Sequence, residues 1–153
     1  MFGKTLTQYL GFQKVVLALI VLVFLVRLAL SLAGTPNSVA KWISVTVVLL
    51  AGVVYYGVAV YTSGFGSYKQ LYPLVLFQSL LGEGLVALAV VLAIFTGTDN
   101  IYTAPEYSGG GDGKNWFHVV AHLVIAAVVL PLVSWGVSSL VMLVTRKVAP
   151  RTA

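Results

Sequence analysis

Cysteine is absent from this 153-residue chain, and charge is scarce: 8% of residues are charged, and only two are histidine. Without cysteine there can be no disulfide, no thiolate metal ligand and no cysteine nucleophile. A domain that folds in water carries about 25% charged residues, so the polar surface here is too small to cover a water-soluble globule. No nucleophile–base pair, acidic dyad or intact cofactor motif stands out, which argues against an enzyme.

What is present is oil. Four apolar stretches run through the chain, at 15–33, 42–61, 74–95 and 117–145. Each reaches the roughly 20 residues that a helix needs to cross about 30 Å of hydrocarbon. Lipid offers the backbone no hydrogen bonds, so spans of this kind are helices or the strands of a closed barrel. The runs are continuous and do not alternate, which excludes the barrel. The expected fold is all-α integral membrane: a single domain over 1–153, with four transmembrane helices in an up-down bundle.

The net charge of +5 is an orientation signal. Lys4, Lys14, Lys69, Arg146, Lys147 and Arg151 fall at the termini and in the middle loop, whereas Lys41 and Lys114 fall in the other two loops. By the positive-inside rule both termini are cytoplasmic and the 96–115 loop is extracytoplasmic, in a membrane of bacterial cytoplasmic type. This scatter argues against a nucleic-acid partner. The first span is longer than the core of a signal peptide and is interrupted by Arg27, so it reads as an uncleaved anchor. "MFGKTLTQYLGFQ" before Lys14 could form a short interfacial helix, although two glycines weaken it. "GTPNS" reads as a tight turn, and Pro73 is placed to begin the third helix.

The glycine-rich stretch "SGGGDGKN" invites a nucleotide-loop reading. The pattern needs a first glycine where Ser108 stands and a hydroxyl where Asn115 stands, and no strand precedes it, so no nucleotide is expected. It serves better as a hinge, with Asn115 capping the fourth helix. His118 and His122 are four apart and share a helix face, the spacing at which two imidazoles grip a metal, with Glu106 or Asp112 available to complete the shell. One of them could instead ligate a haem or a chlorophyll-type pigment axially, or relay protons. The plainer reading is structural, near the headgroups, and no cofactor is required.

Arg27 and Glu83 are charges placed inside apolar runs, where each costs something like 2.5–3.5 kcal/mol. Counting from Lys14 and Pro73 brings them to similar depths, so an intramembrane Arg27–Glu83 ion pair is expected. Gln78 and Ser79, joined by Ser44 and Tyr55, would extend a polar stripe. Small residues spaced by four (Ala29/Ala33, Ala89/Ala93, Ser134/Ser138) allow close helix packing. The leading expectation is a non-catalytic accessory or scaffold subunit, embedded in the lipid bilayer and packed against other membrane subunits or against itself. The alternatives are a small homo-oligomeric ion or proton transporter or channel and a metal-, pigment- or haem-binding membrane protein.

Overall fold

The computed structural model describes residues 1–149, so Arg151 lies outside the described residues. Four of its helical segments are long and apolar enough to cross a membrane: Leu6–Leu32, Asn37–Thr62, Tyr68–Thr96 and Trp116–Val148. Among the described residues there is no strand.

Helix α1 (Leu6–Leu32) begins well before the apolar run. Thr5 and Gln8 form a reciprocal capping box, which satisfies two N–H groups that would otherwise lack partners. Tyr9 and Gln13 are buried, so the segment ahead of Lys14 is the first part of the span and not a separate interfacial helix. Gly34, at φ +84°, ends it. The "GTPNS" link is more than a turn, because it carries the one-turn helix α2 (Asn37–Ala40). Helix α3 runs Val45–Thr62.

Helix α4 (Tyr68–Thr96) starts earlier than expected. A second capping box, Ser67 with Gln70, sets its N-terminus, and Pro73 lies buried in its second turn instead of opening the helix. Gly97, in the left-handed region, closes it. The fourth span is composite: α5 (Trp116–Val124), a π-helical turn over Ile125–Val129, and α6 (Leu130–Val148). Pro131 accounts for the π turn. Its ring has no N–H and crowds the carbonyl four residues back, and a wider turn relieves the crowding. Asn115 caps α5 as expected, its Oδ1 accepting from the His118 N–H at 2.8 Å.

Helix α4 packs against α1, α3, α5 and α6, so it is the central element. Asn37 donates to Glu106, and the Ile101 N–H donates to Ser31 Oγ, so the 33–44 and 97–115 connections meet at one end of the bundle, the loop end. The Gln70 side chain donates to the Phe2 carbonyl, which brings the chain start and the 63–67 turn together at the other end. The long connection folds back against the helices. Asn100, Ile101, Tyr102, Thr103 and Ala104 are all buried. A local turn holds this plug, with the Tyr102 N–H donating to Asn100 Oδ1, while Asn100 Nδ2 donates into the bundle at the Ala89 carbonyl.

Candidate functional site

Glu83 projects from α4 toward the face of α5 that carries both histidines. Its Oε2 lies 2.5 Å from Nδ1 of His122, and the two side chains are 14% and 19% exposed. Nε2 of His122 faces Nε2 of His118 at 3.0 Å. Nδ1 of His118 in turn lies 2.9 Å from the carbonyl oxygen of Gly113. Four groups thus make one unbroken chain from the plugged loop to a carboxyl among the helices.

Local sequence builds this chain. The Asn115 cap orients the first turn of α5, and the four-residue spacing stacks the two imidazoles on one face. Gly113 supplies the far end because it presses on the plug: a Cβ there would fall 2.6 Å from Thr103 Cα. No other residue allows that approach.

The donors follow from chemistry. A carbonyl oxygen only accepts, so His118 Nδ1 carries a proton. The close Nε2–Nε2 contact needs one proton between the two nitrogens. With that proton on His122 Nε2, the third contact is either a protonated Glu83 donating to His122 Nδ1, or an imidazolium donating to a carboxylate. With the proton on His118 Nε2, His118 is the cation and Glu83 the anion. These are three positions of one mobile proton, and in all of them Glu83, His118 and His122 sum to zero charge.

No family model, curated protein or solved structure matches the chain.

The expected Arg27–Glu83 pair is not made. No Arg27–carboxylate contact within 4.0 Å occurs among the described residues, and Glu83 is committed to His122. The Arg27 guanidinium lies instead over two rings of the long loop, 5.1 Å from the Tyr102 centroid and 5.5 Å from that of Tyr107. Helix length is the reason. Both helices begin before their apolar runs: counted from Leu6 and Tyr68 at 1.5 Å per residue, Arg27 stands about 32 Å along α1 and Glu83 about 22 Å along α4, so the two no longer sit at one level. Arg27 and Glu83 still share a cavity of about 150 Å³ with Tyr102, Tyr107 and His122. The Tyr102 phenol feels this setting: burial pushes it up to about 12, while the Arg27 charge pulls it back.

The polar stripe is also rearranged. Gln78 and Ser79 are buried, with Gln78 Nε2 donating to the Leu49 carbonyl. Tyr55 is 46% exposed, and its neighbour Tyr56 turns inward to donate to Gln13 Oε1 at 3.2 Å. One residue along a helix is a rotation of about 100°, which decides between the two tyrosines. Ser44 lies at the loop end, before the first turn of α3.

The acids assigned to a metal shell point elsewhere. Glu106 accepts from Asn37, and Asp112 accepts from the Lys114 N–H. Among the described residues no three His, Asp or Glu side chains are grouped to hold a metal. All four imidazole nitrogens already face a polar partner, so ligation to a metal, haem or pigment would require one of those contacts to break. The roles of Tyr102 and Tyr107 went unread in the sequence. The available signal was "NIYTAPEY", an aromatic and apolar run too rich to be an ordinary solvated loop.

Proposed function

We propose that this chain is a membrane protein that relays protons between its loop end and a carboxyl held among its helices. The observation that carries the reading is the continuous hydrogen-bonded series from Gly113 through His118 and His122 to Glu83. Imidazole is suited to such transfer because it binds a proton at one nitrogen while releasing one from the other, near neutral pH. An ionisable group inside a span is by default a functional site. On this reading the 96–115 loop is extracytoplasmic and both termini are cytoplasmic, as the basic residues divide. Below Glu83, the buried Ser79, Gln78, Gln13 and Tyr56 continue a polar line along the bundle interior. Four helices rarely enclose a complete pathway, so the working form is a homo-oligomer or a subunit beside other membrane chains.

The test is reconstitution into liposomes containing a pH-sensitive dye, with a potassium diffusion potential as the driving force. Wild type is expected to acidify or alkalinise the lumen well above empty liposomes. Glu83→Gln and His122→Phe should each cut that flux about tenfold or more, on the scale of losing one proton-transfer group. A wild-type flux equal to that of empty liposomes would remove the relay.

The accessory-subunit reading keeps one observation of its own. Only 17% of the most apolar stretch of the fourth span is buried, and Ala29 on α1 and Ala33 at its C-cap are exposed. If the flux is absent and the chain is retained with larger membrane chains on mild solubilisation, that role replaces the relay.

A further inference from the structure

A second cavity, of about 440 Å³, opens beside the relay at the loop end, and its wall includes Arg27, Lys41, Ser44 and Thr46. Its charge is unbalanced. Arg27 is only 9% exposed, and its Nε has no hydrogen-bond partner. The guanidinium is charged at any physiological pH. Among the described residues no carboxylate comes within 4.0 Å of it: Glu83 is paired with His122, and Glu106 is turned to Asn37. The Glu83–His122–His118 series is itself neutral, so it supplies no net counter-charge. Stacking on Tyr102 and Tyr107 recovers only part of the cost of a buried cation.

The same cavity meets the N-terminus of α3, an 18-residue helix. Ser44 stands at the cap position, but its side chain makes no cap hydrogen bond, so it satisfies none of the first-turn N–H groups. An uncapped helix start carries partial positive charge and points donors at whatever lies beyond it. A buried fork-shaped cation, a second cation and an open helix start therefore converge on one space.

We propose that this cavity binds a phosphate group. The donor set selects the ligand: the Arg27 guanidinium offers two parallel donors, Lys41 an ammonium, and Ser44 and Thr46 hydroxyls beside the α3 amides. A tetrahedral oxyanion has enough oxygens for these directions, whereas a carboxylate has two and a halide has none to fork. Two sources carry this chemistry, a lipid headgroup reached past the exposed Trp42 and free phosphate in the water at the loop end. The assignment does not depend on the relay, since it concerns binding and needs no flux.

The experiment uses full-length protein purified in a neutral detergent and chloride buffer. Inorganic phosphate is titrated by calorimetry, with the thermal midpoint followed in parallel. Separately, the protein is placed in phosphatidylcholine nanodiscs with and without phosphatidylglycerol, and retained lipid is read by native mass spectrometry. Saturable phosphate binding with a raised midpoint would assign a soluble anion, and selective retention of one phosphatidylglycerol would assign a lipid headgroup; either supports the site. Lys41→Gln is exposed and should fold, and it should weaken binding about tenfold, the effect of one charge-assisted contact. Arg27→Gln should abolish binding. No saturable binding in either format, equal binding by Lys41→Gln, or equal stabilisation by chloride alone would overturn the proposal.

Discussion

His122 bonds through both ring nitrogens at once, to Glu83 on one side and His118 on the other. Removing either neighbour leaves a polar group among apolar side chains without a partner. The full cost of breaking a buried pair is about 3–5 kcal/mol, and the partial exposure of Glu83 and His122 places them at or below that range. We predict that Glu83→Gln and His122→Phe are each destabilising and that a double-mutant cycle between them gives a coupling of about 1–3 kcal/mol. The corresponding cycle between Arg27→Met and Glu83→Gln should give a smaller coupling, because those side chains share a cavity and not a bond. Denaturant unfolding in detergent measures both cycles. A larger Arg27–Glu83 coupling would contradict the pairing described above.

Glycine placement decides how the helices approach each other. A Cβ on Gly57 of α3 would fall 2.6 Å from Val141 Cβ and 2.7 Å from the Ser138 carbonyl of α6, whereas Gly136 has open space around it. Gly57→Ala is expected to destabilise by about 1–3 kcal/mol through overpacking. Gly136→Ala should be neutral or stabilising by up to about 1 kcal/mol, because alanine is the better helix former. Thermal or denaturant midpoints of the two variants should move in opposite directions or differ clearly. The long connection is held by two exposed ties whose pH dependence has opposite sign. The Glu106 carboxyl is lowered from 4.5 by its own backbone N–H and by Asn37. Its stabilising contribution is therefore present above pH 4.5 and is lost as pH falls through the lowered value. Lys114 is raised from 10.5, chiefly by its hydrogen bond to Asp99. That contribution is present below pH 10.5 and is lost as pH rises through the raised value. Limited proteolysis of the 97–115 connection should thus accelerate at both extremes. Asn37→Ala should blunt the acid limb alone, and acid-limb behaviour identical to wild type would show that the Asn37 tie contributes nothing.

At the scale of the whole molecule, the bundle has two unlike ends. The chain start and the 63–67 turn meet at one, and the plugged connection, with the Glu83–His122–His118 series and the positively charged cavity beside it, occupies the other. On the proposed reading, the distribution of basic residues predicts which end faces the cytoplasm. Lys69→Cys and Asp112→Cys should react with a membrane-impermeant maleimide from opposite faces of intact cells or vesicles, with Asp112→Cys labelled from outside. Labelling of Lys69→Cys from outside would reverse the proposed orientation.

Four apolar runs that each reach about the length a bilayer core needs, with almost no charge to interrupt them, were enough for the sequence alone to determine an all-helical chain with four candidate spans. Asn115 as a cap and His118 and His122 on one face were equally legible, because capping and four-residue spacing are local. Partner choice was not. Which charge meets Glu83 depends on the relative depth of α1, α4 and α5, and the true starts of α1 and α4 are set by polar capping boxes, Thr5 with Gln8 and Ser67 with Gln70, outside the apolar runs. Which rings receive Arg27 depends on a connection folding back between helices, and loop composition carries no address for that contact. Tyr55 and Tyr56 are alike in any reading by type, and only the rotation of α3 against its neighbours sent one outward and the other to Gln13. Local chemistry determined the elements; the pairing of charges waited on the relative depth and rotation of helices, which only packing sets.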